Sequence, residues 1–207
     1  MIAALVLAAG ASSRMGEPKA ALPLGSYGHT VLSRGVSTLL SAGLPRIVVV
    51  AGAHPGAVRG ALGAPDPRVA IIEHREWAAG QLSSMLRGFD ALDGPLLEAV
   101  LVTLVDVPLV SADTVRTLIH AWRTSRALIV RPARGEVHGH PVVFDRRLFA
   151  EFRLADPREG AKPVVRAHAA DTLNVPVGDE GAFVDLDVPD DYRRIQALAR
   201  AREGDGA

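Results

Sequence analysis

Ile2-Ala-Ala-Leu-Val-Leu-Ala-Ala-Gly10-Ala-Ser-Ser-Arg14-Met-Gly-Glu-Pro-Lys19 is the stretch of sequence that decides the fold. Residues 2–7 form a continuous apolar run, which is typical of a strand buried inside a parallel sheet. The run ends in small residues and Gly10, where the backbone can turn sharply and its N–H groups can approach a ligand closely. Arg14 and Lys19 follow in the same loop, which we expect to be exposed. Free N–H groups and two cations at the carboxyl end of a buried strand predict a polyphosphate site.

The use of lysine at position 19 supports this interpretation. The chain contains 23 Lys plus Arg residues, of which only Lys19 and Lys162 are lysines. A compact ammonium that reaches between phosphates is one reason to place lysine there. A surface lysine beside a glycine-containing turn is the alternative, and the preference for arginine also fits a base-composition bias of the genome.

The spacing of this loop differs from the two common phosphate-binding motifs. A dinucleotide fold requires G-x-G-x-x-G and a P-loop requires G-x-x-x-x-G-K-[ST], and residues 7–19 match neither. They resemble the signature loop of the nucleotidyltransferases that include molybdenum cofactor cytidylyl- and guanylyltransferases. The resemblance implies that Arg14 and Lys19 are catalytic. It also implies that the nucleotide is bound by Leu7, Ala8, Ala9 and Gly10.

Composition sets the broad class of protein. The chain has 207 residues, 48% of them hydrophobic, and a formal net charge of zero. We therefore expect one ordinary globular domain over residues 1–207 that does not bind nucleic acid through bulk charge. The absence of cysteine excludes disulfides and thiolate chemistry. The apolar run at residues 2–7 is too short to span a bilayer, so we expect a cytoplasmic protein with no membrane partner.

Apolar runs alternate with helical patterns along the first 130 residues. The runs lie at 2–7, 47–50, 69–72, 100–105 and 127–130, and the helical patterns at 30–42, 55–62, 80–92 and 111–123. This alternation predicts an α/β fold, a Rossmann-like three-layer sandwich whose mostly parallel sheet has helices on both faces. Ser111 is the predicted N-cap of the fourth helix. Ligands are expected at the carboxyl ends of the strands.

The pattern changes after about residue 131. We predict a short strand within 137–144, helices at 146–152 and 160–170, and a strand at 172–177. We interpret residues 1–130 as the nucleotide half and residues 131–188 as a C-terminal insertion that carries part of the acceptor site. A helix over 189–202 follows, with proline in its first turn, and residues 203–207 are predicted to be frayed.

A second candidate site is Val102-Thr-Leu-Val-Asp106-Val-Pro108, which places a carboxylate directly after a buried strand. A carboxylate beside bound phosphates would repel them unless a cation intervened, so Asp106 predicts a Mg²⁺ ligand. A turn or helix-capping aspartate is the alternative. Asp106-Val-Pro108 also resembles the D-x-P step of the same enzymes, which implies a catalytic role for Asp106.

Two further carboxylates occur in Asp185-Leu-Asp187-Val-Pro-Asp-Asp191. Asp185 and Asp187 would share one face of an extended segment, where two like charges favour a cation or a proton. The stretch resembles the family's D-I-D-T-P-E-D segment, with Val188 in place of threonine, and this implies that Asp185 or Asp187 joins Asp106 at the metal. An N-cap-like role is the alternative for Asp187.

Two more segments resemble the family. Gly80-Gln81-Leu-Ser83-Ser84 begins a helix, where free N–H groups and hydroxyls suit a base or ribose edge, although a serine-capped helix start explains them equally well. His138-Gly-His140-Pro resembles the G-H-P step of the cytidylyltransferase branch, which implies that His140 lines the acceptor side. Loop histidines at the entry to a strand are the alternative. The predicted nucleotide and acceptor contacts are therefore Gly80, Gln81, Ser83, Ser84 and His140.

All five segments occur in the family's order. The resemblance implies transfer of a nucleoside monophosphate from a triphosphate to a phosphorylated acceptor, such as molybdopterin or the molybdenum cofactor, with release of pyrophosphate. Ala9 favours CTP, because the guanylyltransferase branch usually has glycine there and a methyl narrows the space over the base. Two alternatives stay open. The acceptor is a sugar or alcohol phosphate, or the chain is an inactive nucleotide-binding partner of a molybdoenzyme or its chaperone.

Overall fold

The computed structural model describes residues 1–63 and 66–204. The first half contains β1 (Ile2–Ala8), β2 (Pro23–Leu24), β3 (His29–Thr30), α1 (Val31–Ser41), β4 (Ile47–Ala51), α2 (Pro55–Leu62), β5 (Val69–Glu73), α3 (Gln81–Leu92), β6 (Ala99–Leu104) and α4 (Ala112–Ser125). The second half contains β7 (Ile129–Arg134), β8 (Val137–His138), β9 (Val142–Asp145), α5 (Phe149–Leu154), α6 (Lys162–Ala167), β10 (Thr172–Pro176) and α7 (Pro189–Gly204). None of these helices is both long and apolar enough to cross a bilayer.

One large sheet forms the centre of the molecule. Its strand order is β10-β7-β9-β6-β1-β4-β5, and β8 pairs with β7 at its end. β1 is buried along its whole length and pairs in parallel with β4 and β6. β9 runs antiparallel between β6 and β7. The central strands therefore end together at one edge of the sheet, which is where parallel α/β folds bind ligands.

Helices cover both faces of this sheet, because the side chains of β1 alternate between two apolar clusters. Val6 belongs to the cluster that buries α1, α2 and α4, and Leu5 belongs to the cluster that buries α3 and α5. Phe89 of α3 stacks on Phe149 of α5 with ring centroids 4.0 Å apart, so the second cluster extends into the C-terminal half. The predicted three-layer α/β fold is confirmed.

The second half of the chain contributes strands to the same sheet. β7 begins at Ile129 and continues across residue 131, and β9 and β10 pair with it. The helix predicted over 160–170 is shorter, Lys162–Ala167. It cannot begin at Gly160, because that residue has a φ of +72°. The role of residues 131–188 on the acceptor side stays a prediction.

Asp179 ties the start of α4 to the segment that precedes α7. Ser111 is the N-cap of α4, as predicted, and its hydroxyl accepts a hydrogen bond from the Thr114 backbone N–H. The Asp179 carboxylate accepts a hydrogen bond from the Ser111 backbone N–H at 2.7 Å and one from the Thr114 hydroxyl at 2.9 Å. Burial alone would raise the pKa of Asp179, but these hydrogen bonds outweigh it and hold the pKa below its usual value.

The chain stays helical as far as Gly204, two residues beyond the predicted end of the helix. The prediction that residues 203 and 204 are frayed is wrong, because the Glu203 carboxylate accepts a hydrogen bond from the Ser26 backbone N–H at 2.8 Å and pairs with Arg34 at 3.4 Å. Residues 205–207 of the predicted tail lie outside the described residues.

Candidate active site

A cleft of about 430 Å³ opens where β1, β4 and β6 end. Most of the site residues predicted from the sequence meet there, although they come from distant parts of the chain. Those that line the cleft are Leu7, Ala8, Ala9, Gly10, Arg14, Lys19, Gly80, Gln81, Ser84, Asp106 and Asp187. Ser83, His140 and Asp185 are outside this lining.

The loop after β1 is held in shape by Ser12. This residue adopts a φ of +53°, which is uncommon for a residue other than glycine and is often found at functional sites. Its hydroxyl accepts a hydrogen bond from the Lys19 backbone N–H at 3.0 Å, and its carbonyl accepts one from Met15 at 2.9 Å. A Cβ on Gly10 would meet no described atom within 4 Å, so there is open space above the loop for a ligand.

Lys19 lies between two carboxylates. Its Nζ is 2.8 Å from Asp187 Oδ1 and 3.5 Å from Asp106 Oδ2. Arg14 also reaches Asp187 Oδ1, at 3.1 Å, with its side chain 64% exposed. Most of the loop is exposed, as expected, but the Lys19 side chain itself is only 11% exposed. Asp187 reaches the loop from a distant part of the sequence and contacts both of its cations.

Asp106 has an unsatisfied oxygen. Its Oδ1 is buried and has no hydrogen-bond partner among the described residues. Burial raises the pKa of Asp106 despite the attraction of Lys19, and the charges of Asp185 and Asp187 raise it further. By contrast, the hydrogen bond from Lys19 lowers the pKa of Asp187. A buried carboxylate oxygen without a partner, facing other carboxylates, is suited to a bound cation.

The structure distinguishes the roles of the carboxylates near α7. Asp191 performs the capping, because its Oδ2 accepts hydrogen bonds from the backbone N–H groups of Asp187 and Val188 at 3.0 and 2.9 Å. The Asp187 carboxylate instead accepts hydrogen bonds from the side chains of Arg14 and Lys19. Asp185 is close enough to affect the pKa values of both Asp106 and His140. Among the described residues, no group of three or more His, Asp or Glu side chains is arranged to hold a metal ion by itself.

The start of α3 forms another wall of the cleft. Gly80 has a φ of +112°, a conformation that favours glycine, and the helix begins at the next residue. Gln81 and Ser84 line the cleft. Ser83 is directed elsewhere: its hydroxyl donates to the Gly80 carbonyl at 2.7 Å and lies 2.9 Å from His74 Nε2. The Ser83 hydroxyl therefore bonds within the first turn of α3 and does not cap the helix, so the serine-cap alternative is not observed for it.

His140 reaches this end of the sheet because β9 is antiparallel. The first residue of β9, Val142, pairs with Val102 near the carboxyl end of β6. The Nδ1 of His140 is buried without a partner among the described residues, and burial lowers the pKa of His140. Its position beyond the cleft lining leaves the predicted contact with the acceptor side untested.

Sequence reasoning missed several residues that line the cleft, among them His54 and Trp77. A Cβ on Gly52 would lie 2.5 Å from the Ala9 carbonyl oxygen and 2.6 Å from Trp77 Cβ, so glycine at 52 lets Ala9 and Trp77 pack closely. His54 Nε2 lies 3.1 Å from the Ala11 carbonyl oxygen. The available signals were an aromatic residue just before Gly80 and a histidine just before the proline that begins α2.

Comparison with known families agrees with this geometry. Residues 4–172 match the model of the MobA-like NTP transferase domain. The chain belongs to this family. The sequence-based assignment to the nucleotidyltransferases related to molybdenum cofactor guanylyltransferase is therefore confirmed, and the matched residues include the whole loop from Leu7 to Lys19 and Asp106.

Two curated proteins with different names are similar in sequence to this chain. A protein named nicotine blue oxidoreductase from Paenarthrobacter nicotinovorans is 33% identical over 203 residues, which cover 94% of this chain and 96% of the relative. A probable molybdenum cofactor guanylyltransferase from Mycolicibacterium paratuberculosis is 31% identical over 137 residues, which cover 66% of each chain.

Solved structures share the fold over nearly the whole chain. A nucleotidyl transferase from Methanothermobacter thermautotroptrophicus has a TM-score of 0.82 at 28% identity and covers 98% of this chain and 99% of its own. A Mycobacterium tuberculosis protein crystallised in complex with manganese has a TM-score of 0.75 at 27% identity, covering 95% of this chain and 97% of its own.

Proposed function

We propose that this protein transfers a nucleoside monophosphate from CTP to a phosphorylated acceptor, molybdopterin or the molybdenum cofactor, with Mg²⁺ as the metal. The observation that carries the proposal is the contact of Lys19 with both Asp106 and Asp187 in the cleft next to the loop after β1. Cations for a triphosphate and carboxylates for a metal lie side by side there, as phosphoryl chemistry requires. The family match and the guanylyltransferase relative support the same class of reaction.

The metal fits the residues present. Asp106 has a buried oxygen without a partner among the described residues, and Asp187 is the second carboxylate in the cleft. Mg²⁺ commonly binds through one or two carboxylates together with substrate phosphates, so a complete protein cage is not needed. When bound, the ion would neutralise phosphate charge and polarise the α-phosphate. The manganese complex of the Mycobacterium tuberculosis relative supports a divalent ion in this fold.

The reaction follows from charge and position. An oxygen of the acceptor phosphate forms a bond to the α-phosphorus, and the bond from that phosphorus to the bridging oxygen of the β-phosphate breaks. The electron pair leaves with pyrophosphate. The acceptor oxygen is already anionic, so no side-chain nucleophile is required. Arg14 and Lys19 neutralise the triphosphate and the charge that develops on it, and the N–H groups of the loop hold it in place.

The proposal of CTP rests on Ala9. Ala9 is buried, with 6% of its surface exposed, and packs with Trp77 at the cleft wall. A methyl group at this point reduces the space for a purine, which supports a pyrimidine nucleotide. The relatives named guanylyltransferase make GTP the competing nucleotide.

The test is pyrophosphate release measured with each of the four nucleoside triphosphates and each acceptor class. The acceptors are molybdopterin, the molybdenum cofactor, a sugar phosphate and an alcohol phosphate, each with Mg²⁺ and with EDTA. We expect release only with CTP, Mg²⁺ and a molybdopterin-type acceptor. Pyrophosphate release only with a sugar phosphate or only with an alcohol phosphate would identify that compound as the acceptor class in place of molybdopterin. No release with any combination would favour the inactive binding partner.

A redox activity is the second candidate, because the relative named nicotine blue oxidoreductase covers 94% of this chain. The loop of residues 7–19 lacks the dinucleotide fingerprint G-x-G-x-x-G, which disfavours a nicotinamide cofactor bound in the usual way. Oxidation of NADH and NADPH by a reducible dye, followed by absorbance, separates the two functions. Turnover in that assay without pyrophosphate release would favour the oxidoreductase.

A further inference from the structure

Helix α7 lies along the segment that follows Lys19. The family model ends at residue 172, so the whole helix lies beyond the matched part of the chain. Three side chains of α7 bind the backbone of this segment. Tyr192 donates its hydroxyl hydrogen to the Pro23 carbonyl at 2.8 Å. Gln196 accepts a hydrogen bond from the Gly25 backbone N–H at 2.9 Å. Glu203 accepts one from the Ser26 backbone N–H at 2.8 Å.

An apolar cluster forms beneath these hydrogen bonds. Leu22 and Leu24 from the segment after Lys19 pack with Ile195 and Ala199 of α7, all of them buried. Met15, from the loop of residues 7–19, packs against the same cluster. This cluster is distinct from the two that bury the sheet, so α7 supplies part of the packing that holds the segment, together with α1 and α2, which contact its first residues.

The residues just before α7 also contact the part of the cleft that contains Asp106. The Leu186 backbone N–H donates to the Asp106 carbonyl at 2.8 Å, and the next residue, Asp187, binds Lys19. A single stretch, residues 186–203, therefore contacts both the strand end that carries Asp106 and the loop that carries Lys19.

We propose that α7 is a positioning element of the triphosphate site, and that Tyr192, Gln196 and Glu203 are positioning residues that fix Lys19 through backbone hydrogen bonds. The inference rests on the proposed nucleotide site and deepens it. Each of the three contacts is made to a backbone group, so the contact with this segment needs only an acceptor oxygen at positions 196 and 203. Glu203 also pairs with Arg34, and Glu203→Gln and Glu203→Met both remove the charge from that pair. Loss of an acceptor oxygen leaves a backbone N–H group without a partner and lets the segment after Lys19 move. The affinity of the site for the triphosphate then falls.

The experiment measures two quantities on the full-length protein: the Kd for Mg-CTP by calorimetry, and hydrogen exchange of residues 19–26 without nucleotide. Glu203→Gln and Glu203→Met form a matched pair, since both are uncharged and only the first keeps an acceptor oxygen. We expect Glu203→Gln to stay within about twofold of wild type, and the double variant Gln196→Met/Glu203→Met to raise Kd about tenfold and to speed exchange. Arg194→Met, on the exposed side of α7, serves as the control.

The outcomes separate positioning from simple stability. A lower Tm with unchanged Kd in the double variant would overturn the proposal, as would equal effects of Glu203→Gln and Glu203→Met. If the double variant fails to fold, Tyr192→Phe removes one hydroxyl from a half-buried position and should raise Kd about threefold; an unchanged Kd there refutes the proposal. If wild type binds no triphosphate under any condition, the proposed function fails first, and faster exchange of residues 19–26 would then leave α7 as a structural clamp only.

Discussion

Replacing Lys19 by methionine should destabilise the protein as well as stop its reaction. Lys19 Nζ is 2.8 Å from Asp187 and 3.5 Å from Asp106, and its side chain is 11% exposed. In Lys19→Met the two carboxylates lose the cation between them, and Asp106 stays in a site where its charge is poorly solvated. The effect on folding should therefore be much larger than that of an ordinary surface lysine.

The size of this loss in stability depends on how strongly solvent screens the Lys19–Asp187 and Lys19–Asp106 ion pairs. Opposite charges about 4 Å apart attract by about 4 kcal/mol at an effective dielectric of 20. Asp187 is 41% exposed, so solvent screens much of its share. Breaking a fully buried pair costs about 3–5 kcal/mol, so for this partly buried site we expect a loss of about 2–3 kcal/mol in the free energy of unfolding. For a chain of this size the corresponding fall in Tm is about 5–10 °C.

Thermal unfolding at neutral pH and low salt, followed by circular dichroism, measures this loss. The other lysine of the chain supplies the matched control, because Lys162 is exposed and Lys162→Met should leave Tm within about 1 °C of wild type. Adding Asp106→Asn to Lys19→Met should recover part of the loss, since the stranded charge is gone. A Tm for Lys19→Met equal to that of wild type, or no recovery in the double variant, would refute the reasoning.

Four other predictions follow from the site and the fold. Asp106→Asn should lower Mg²⁺-dependent kcat/KM by about 100-fold or more, because a neutral amide binds a hard cation poorly, and activity that survives in EDTA would disprove the metal model. Wild type should prefer CTP to GTP, and Ala9→Gly should shift the ratio of kcat/KM values by about 10-fold or less, since one methyl is worth about 1–3 kcal/mol; a constant ratio would remove the steric explanation. CTP should quench the fluorescence of Trp77, so quenching should persist in Trp122→Phe and vanish in Trp77→Phe. The depressed pKa of Asp179 should stabilise the fold above the ordinary aspartate range, with stability lost as pH falls through the lower folded-state pKa; urea unfolding at pH 3 to 6 should show a flatter dependence in Asp179→Asn.

The sheet and its ligand edge were predictable because their signals are local. The apolar run before Gly10 and the run before Asp106 each determine a buried strand, and parallel strands bring their ends together wherever they occur in the chain. These two signals were enough to place the loop, its cations and one carboxylate in the same cleft.

Other features depend on three-dimensional orientation, which the sequence pattern does not contain. Ser83 and Ser84 are neighbours, but successive helical residues point about 100° apart, so only Ser84 faces the cleft. His140 depends on a strand that runs antiparallel, whereas the alternating pattern predicts parallel ones. The burial of Lys19 depends on Asp187, 168 residues away in the sequence.

That separation has a consequence for synthesis of the protein on the ribosome. A nascent chain that has emerged as far as β10 already contains the loop of residues 7–19 and Asp106, but it lacks Asp187 and the helix that packs beside the loop. Lys19 can form its contact with Asp187 only after Asp187 has left the exit tunnel. Closing a loop of this length is also entropically costly, which places the step late in folding. Chains interrupted before α7 can therefore form much of the sheet without completing the cleft.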